Sequence, residues 1–179
     1  IATRAEAVLS SANFYFGIVT VVAGIVGTVI GGRMADRALR SLPPVPPDAD
    51  ETHLANRQAA NAQLHVCAVG VAIAFPLAAA AFLVPSAWLF FTLAGIAEIG
   101  LFMSTAPINA ILLRTAPPIM RASAMAVAIF AIHLFGDLWS PPLVGLFIDH
   151  LPLALAMMSL PVGFAIATFV WWPRRSEAT

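Results

Sequence analysis

Five long apolar stretches, separated by short polar segments, dominate the pattern of hydrophobic and polar positions in this chain. Each stretch is near or above the ~20 residues that a helix needs to cross a hydrocarbon core of ~30 Å. The stretches are Phe14–Gly32, Leu64–Val84, Trp88–Leu113, Ala122–Ile148 and Leu151–Trp172. The pattern therefore predicts an all-α membrane protein with five transmembrane helices over these ranges.

The positively charged residues lie in alternate gaps between the apolar stretches. All nine basic residues are arginines, and only Arg4 does not follow the alternation. The other eight are Arg33, Arg37, Arg40, Arg57, Arg114, Arg121, Arg174 and Arg175. Five crossings place these eight on one side of the membrane, which the positive-inside rule assigns to the cytoplasm. We call this face the arginine side and predict that the C-terminus lies there.

The composition agrees with a membrane protein and excludes several other classes. Hydrophobic residues form 60% of the chain and charged residues 10%, whereas ~25% charged residues are usual in soluble domains. The arginines are spread over separate loops, so we expect no nucleic-acid binding. Cys67 is the single cysteine, which excludes an internal disulfide and a cysteine-based metal cluster. We predict no cofactor and no bound metal.

The start of the chain predicts that it is part of a longer protein. The chain begins at Ile1, and Ile1–Asn13 is typical of neither a signal peptide nor a membrane span. Together with the odd number of spans, this start indicates that an N-terminal portion lies upstream.

Small residues and prolines suggest how the predicted helices pack and where they bend. Gly27 and Gly31 form a small-xxx-small pair on the first helix, which favours close packing against another helix. Prolines inside the other stretches remove backbone hydrogen bonds and kink the helices; they are Pro76, Pro107, Pro141, Pro142 and Pro161. We predict that Ser41–Gln63 is a cytoplasmic connector with an extended proline-rich part and a short surface helix around Thr52–Ala62.

Three ionisable side chains lie deep within the apolar stretches, Glu98 in the third and His133 and Asp137 in the fourth. Burying such groups in a membrane is costly, so each is a candidate functional residue. Glu98 lies sixteen residues before Arg114, and Asp137 lies sixteen residues after Arg121. At ~1.5 Å per residue, both carboxylates are predicted ~24 Å from the arginine of their own helix, at nearly the same level. His133 and Asp137, four residues apart, share one helix face.

These three residues allow more than one interpretation. Histidine titrates near neutrality, so the group can exchange a proton or hold a cationic ligand. Alternatively, His133 and Asp137 only satisfy each other or cap the helix break at Pro141–Pro142. A metal site is a further alternative with a small ligand set. Because the second and fifth helices carry no comparable group except His65, we predict the polar face on the third and fourth helices and the second and fifth helices at the periphery.

A sequence motif follows the glycine-rich first stretch. Gly32, Asp36, Arg37 and Arg40 match the pattern G-x-x-x-D-R-x-x-R/K. This segment resembles the cytoplasmic signature of the major facilitator superfamily, which recurs in the loops after the second and eighth helices of that fold.

The fourth stretch carries a second resemblance. Residues 133–141 read HLFGDLWSP, and Gly145, Leu146 and Asp149 follow them. This segment resembles the eleventh helix of the Spinster branch of the same superfamily. Gly17–Gly24 is similar to the eighth helix of Spinster proteins, and Glu98 falls where their tenth helix has an acidic residue.

The resemblance covers roughly Phe14 to His150 and implies both fold and function. It implies that the spans are helices eight to twelve of a major facilitator bundle, and that helix seven and the N-terminal half lie outside the chain. It also implies a secondary active transporter, not an enzyme, that moves a small organic or lysolipid-like solute by alternating access with proton coupling. Glu98, His133 and Asp137 would line the substrate and proton pathway. Gly32, Asp36, Arg37 and Arg40 would form a conformational motif.

Other functions remain open at this point. One alternative is an intramembrane metal-dependent hydrolase, or another membrane enzyme, that uses His133, Asp137 and Glu98; another is a structural membrane subunit. The many Ala and Arg residues and the absence of Lys are typical of a bacterial protein, so we predict the bacterial inner membrane. The expected partners are the lipid bilayer, the solute, protons and the N-terminal half of the same transporter.

Overall fold

Eight α-helices form the described part of the chain. A computed structural model describes residues 2–44 and 51–172, with side chains in 10–44 and 53–172, and none of these residues lies in a strand. The helices are α1 Ala2–Arg40, α2 Glu51–Leu83, α3 Ala87–Phe102, α4 Thr105–Thr115, α5 Arg121–Ile132, α6 Ser140–His150, α7 Leu153–Met157 and α8 Ser159–Trp171. A 3₁₀ turn, Pro118–Met120, precedes α5, and a π-helical segment, His133–Asp137, follows it.

Five helical segments of the described chain are long and apolar enough to cross a membrane, which confirms the predicted number. They are Ser10–Arg40, His53–Leu83, Ala87–Thr115, Pro118–His150 and Leu153–Trp171, numbered here as spans one to five. Arg174, Arg175 and residues 45–50 of the predicted connector lie outside the described residues.

The first two helices are longer than the apolar stretches that predicted them. Span one was predicted to end at Gly32, but α1 continues to Arg40, because the residues after Gly32 include no proline and many good helix formers. The predicted surface helix Thr52–Ala62 is helical but not separate, since α2 begins at Glu51 and runs without a break to Leu83. The connector is therefore shorter than predicted.

Glycines allow α3 to pack at backbone distance against both α1 and α2. A Cβ atom added at Gly27 would lie 2.5 Å from the Ile99 carbonyl oxygen, and one at Gly31 would overlap the Met103 carbonyl oxygen. On the other side of α3, a Cβ added at Gly100 would lie 2.5 Å from the Gly70 carbonyl oxygen. The predicted packing role of Gly27 and Gly31 is therefore confirmed.

Three of the predicted proline kinks coincide with breaks in the spans. Span three changes from α3 to α4 at Met103 and Ser104, just before Pro107. Proline lacks the N–H that would bond to the carbonyl four residues earlier, and its ring crowds that carbonyl. Spans four and five are broken in the same way ahead of Pro141 and Pro161, whereas α2 continues through Pro76.

The second helix lies at the centre of the described bundle. It packs against α1, α3, α4 and α8, and span two is the most buried of the five spans. Its contact face consists of small residues, among them Cys67 and Ala74, which let neighbouring helices approach closely. The prediction that the second helix is peripheral is therefore wrong for the described bundle.

Span four is the least buried of the five spans. Its main contacts are with α4 and α7, its neighbours in the chain, and none of its most apolar window is buried. Large apolar side chains such as Phe130 and Phe135 are exposed along it.

Candidate functional site

The first part of the candidate site is a hydrogen bond between α1 and α3. The Thr20 hydroxyl donates to Glu98 Oε1 over 2.9 Å. The bond lies along the same α1–α3 interface as Gly27 and Gly31, whose lack of side chains brings the two helices close enough for the short threonine side chain to reach Glu98.

The second carboxylate oxygen of Glu98 has a different environment. Oε2 is buried and has no hydrogen-bond partner among the described residues. It belongs to a side chain that lines a cavity of about 270 Å³ between α1, α2, α3 and α8. The walls of this cavity are apolar and aromatic, with Phe16, Phe82, Phe90 and Phe164 among them. One oxygen of the carboxyl group is therefore occupied, and the other is enclosed but unpaired.

His133 and Asp137, the two predicted site residues of span four, pair with each other. His133 Nδ1 and Asp137 Oδ2 lie 2.5 Å apart, and the two side chains are 66% and 67% exposed. The pair occupies the two ends of the π-helical segment, in which the Leu138 N–H donates to the His133 carbonyl oxygen over 3.0 Å. Single π-helical turns within α-helices are frequent at functional sites. Within the described chain no other basic side chain lies within 4 Å of a carboxylate.

The structure therefore forms two separate groups from the predicted site residues. Glu98 contacts Thr20, His133 contacts Asp137, and no hydrogen bond or ion pair joins the two groups. Thr20 was not predicted as a site residue, although a polar side chain within an apolar stretch was a usable signal. No three His, Cys, Asp or Glu residues of the described chain lie close enough together to hold a metal ion.

The predicted conformational motif lies at the end of α1. A Cβ atom added at Gly32 would lie 3.5 Å from the Ala106 side chain, which is ordinary contact. Asp36, Arg37 and Arg40 are exposed, and no hydrogen bond or ion pair of these side chains is formed within the described chain.

Comparison with known proteins gives several relatives of the chain. It is 34% identical to the probable sphingolipid transporter spinster homolog 2 of Arabidopsis thaliana. The aligned region of 165 residues covers 92% of the chain and 29% of that protein. Spinster homolog 3 of the same plant, also named a probable sphingolipid transporter, is 32% identical over 143 residues, 80% of the chain and 24% of that protein. Protein spinster homolog 3 of Danio rerio is 30% identical over 141 residues, 78% of the chain and 25% of that protein.

The chain spans about a quarter of the length of these curated relatives. No protein-family model matches the chain, and no solved structure matches it significantly.

Proposed function

The chain belongs to the Spinster branch of the major facilitator superfamily, and we propose that it forms the C-terminal helices of a secondary active transporter for a lipid-like solute. Transport would proceed by alternating access with proton coupling. Three of the relatives are named probable sphingolipid transporters, which supports an amphipathic solute with a polar head and an aliphatic chain.

The arrangement around Glu98 carries this proposal. An unpaired charge in an apolar environment is costly, so the carboxyl group needs either a proton or a donor on a ligand. Thr20 occupies one oxygen and orients the group, while the buried Oε2 has no hydrogen-bond partner among the described residues. The aromatic cavity beside it accommodates an aliphatic segment, and apolar walls with a few placed polar groups are typical of ligand sites. A proton and a solute donor would thus compete for Oε2.

The His133–Asp137 pair contributes a second place for a proton. Asp137 holds Nδ1 of His133, which leaves the other ring nitrogen without a hydrogen-bond partner among the described residues. We propose that this pair supports the pathway that Glu98 begins, and that Asp36, Arg37 and Arg40 belong to a conformational motif on the arginine side.

The proposal is tested with the full-length transporter in sealed proteoliposomes. Uptake of a labelled sphingoid base driven by a proton gradient should be measured for wild type, Glu98→Gln, Thr20→Val and Asp137→Asn. We expect Glu98→Gln to abolish proton-driven uptake and Thr20→Val to weaken it, because the first removes the titratable group and the second its orienting bond.

A matched control separates site effects from general damage. Thr28→Val changes a threonine on α1 that forms no side-chain hydrogen bond in the described chain. This variant should transport as wild type. Normal uptake by Glu98→Gln across pH 5 to 8 would remove Glu98 from the pathway.

The alternative of a membrane enzyme gains no support from the relatives. Those with a named activity are named transporters, which assigns the chain to a non-enzymatic family. A hydrolase would consume its substrate in detergent solution, whereas a transporter leaves the solute unchanged and needs a sealed bilayer to show activity.

A further inference from the structure

A second cavity lies at the arginine side, apart from the Glu98 site. Its volume is about 240 Å³. The end of α1 and the residues after it provide one wall, which includes Leu39 and Leu42, and the first turns of α2 provide another, which includes Gln58 and Ala59. Arg114, in the last turn of α4, completes it.

The wall at the end of α1 is held by local hydrogen bonds. The Ser41 N–H donates to the Arg37 carbonyl oxygen over 3.2 Å, and the Ser41 hydroxyl donates to the Ala38 carbonyl oxygen over 2.8 Å. Pro43 and Pro44 then prevent the helix from continuing. Leu42 and Pro43 are thereby turned along the cavity instead of extending α1 into the solvent.

Arg114 is the charged residue among the described residues that line this cavity. None of these lining residues is an Asp or Glu, and in the described chain no carboxylate lies within ion-pair distance of Arg114. The Gln58 amide adds neutral hydrogen-bonding groups, and the remaining lining is apolar. A positive charge next to apolar walls favours an anion that is attached to an apolar body.

The cavity also lies at the level where a membrane surface is expected. Span one ends at Arg40, span two begins at His53 and span three ends at Thr115, and residues close to each of these three ends line the cavity. Phosphate groups of lipids lie at this level, and a guanidinium group binds phosphate oxygens in a bidentate manner.

We propose that this cavity binds the phosphodiester headgroup of an anionic phospholipid from the leaflet on the arginine side. Its volume is below the 300–1,000 Å³ typical of sites that enclose a whole small molecule, so it takes the headgroup and glycerol while the acyl chains remain in the bilayer. Anionic lipids are abundant in the cytoplasmic leaflet, and basic cavities between spans are suited to their headgroups. This lipid is a resident ligand and not the transported solute.

The test uses the full-length transporter in nanodiscs of phosphatidylcholine with a graded fraction of phosphatidylglycerol. Native mass spectrometry counts the phosphatidylglycerol molecules that stay bound after release from the nanodisc. For Arg114→Gln we expect retention to weaken about tenfold, because the headgroup phosphate loses its charge-assisted hydrogen bonds to the guanidinium group. Ala55→Leu, which narrows the cavity without changing charge, should also weaken retention.

Arg121→Gln is the matched control, because Arg121 is an exposed arginine of the same side that does not line the cavity. Retention equal to wild type in both Arg114→Gln and Ala55→Leu would overturn the proposal, as would equal losses in Arg114→Gln and Arg121→Gln. If Arg114→Gln does not fold, Arg114→Lys replaces it, and retention unchanged in Arg114→Lys and Ala55→Leu counts against the site. Displacement of the lipid by soluble glycerol 3-phosphate at matching concentration would show a site for free phosphate and also overturn it.

Discussion

Substitution of Gly27 by alanine is the sharpest test of how α1 and α3 pack. The added Cβ atom would lie 2.5 Å from the Ile99 carbonyl oxygen and 2.7 Å from the Phe102 Cβ atom. Ordinary contact begins near 3.4 Å, so the two helices must separate locally by about 0.9 Å. The obstacle is a backbone oxygen of a helix, which cannot rotate away as the end of a flexible side chain can.

The cost of this separation follows from general packing energetics. A gap of 0.5–1 Å forfeits roughly a quarter to a half of the dispersion energy of each contact that it opens, and overpacked sites typically lose about 1–3 kcal/mol. We expect Gly27→Ala to lower the free energy of unfolding by an amount in that range. A shift of the same size at Thr20, two turns away, would lengthen its 2.9 Å bond to Glu98 beyond hydrogen-bonding distance.

The assay is thermal unfolding of the purified full-length protein, followed by size-exclusion chromatography with fluorescence detection. Gly17→Ala is the matched control on the same helix, because a Cβ atom there would meet no described residue within 4 Å. Alanine also has the higher helix propensity, so the control should melt at or above the wild-type temperature. Equal melting temperatures for Gly27→Ala and Gly17→Ala would refute the packing argument.

Further predictions concern Gln63, Asp36 and the His133–Asp137 pair. The Gln63 side chain is buried and its Oε1 has no hydrogen-bond partner in the described chain. Because an unpaired buried polar group is costly, Gln63→Met should raise the free energy of unfolding by roughly 1 kcal/mol in the same assay. A loss of stability would mean that this oxygen forms a hydrogen bond in the full protein. Asp36→Asn should shift the transporter towards the inward-open state. Spin labels on the arginine side would then lie farther apart, and unchanged distances between them would contradict this prediction. Asp137→Asn should lower the rate of uptake through loss of the partner of His133, whereas uptake at the wild-type rate would assign the pair to helix packing alone.

Several features of the fold could be predicted because they depend on composition along the chain. The length of an apolar stretch decides whether a helix can cross a bilayer, so the number of spans followed directly. The small-xxx-small spacing of Gly27 and Gly31 indicated close packing for a steric reason that does not depend on the partner helix. The helix ends were less accurate, because α1 and α2 continue into polar sequence where no apolar signal marks them.

The partner of Glu98 was harder to predict for a physical reason. A threonine in an apolar helix commonly bonds to a carbonyl of its own helix, as Thr92 and Thr168 do here, donating to the carbonyl oxygens of Trp88 and Phe164. Only the depth at which α1 crosses α3 decides that Thr20 instead donates to Glu98. The π-helical segment at His133 was likewise not predictable, since one additional residue in a turn leaves no periodic pattern in an apolar stretch.

The Glu98 site lies between one continuous helix, α1, and one interrupted span, span three. This difference affects how a movement at the site reaches the arginine side. Helix α1 is unbroken over 39 residues and carries both Thr20 and Asp36, which are ~24 Å apart along its axis. Span three, by contrast, is interrupted at Met103 between Glu98 and Arg114. We therefore expect a displacement at the Thr20–Glu98 bond to reach the end of α1 through a continuous helix, and the break near Pro107 to absorb part of it before it reaches Arg114. The proposed conformational motif and the α1 wall of the proposed lipid cavity are thus connected to the Glu98 site through one continuous helix, whereas Arg114 is connected to it only across the break in span three.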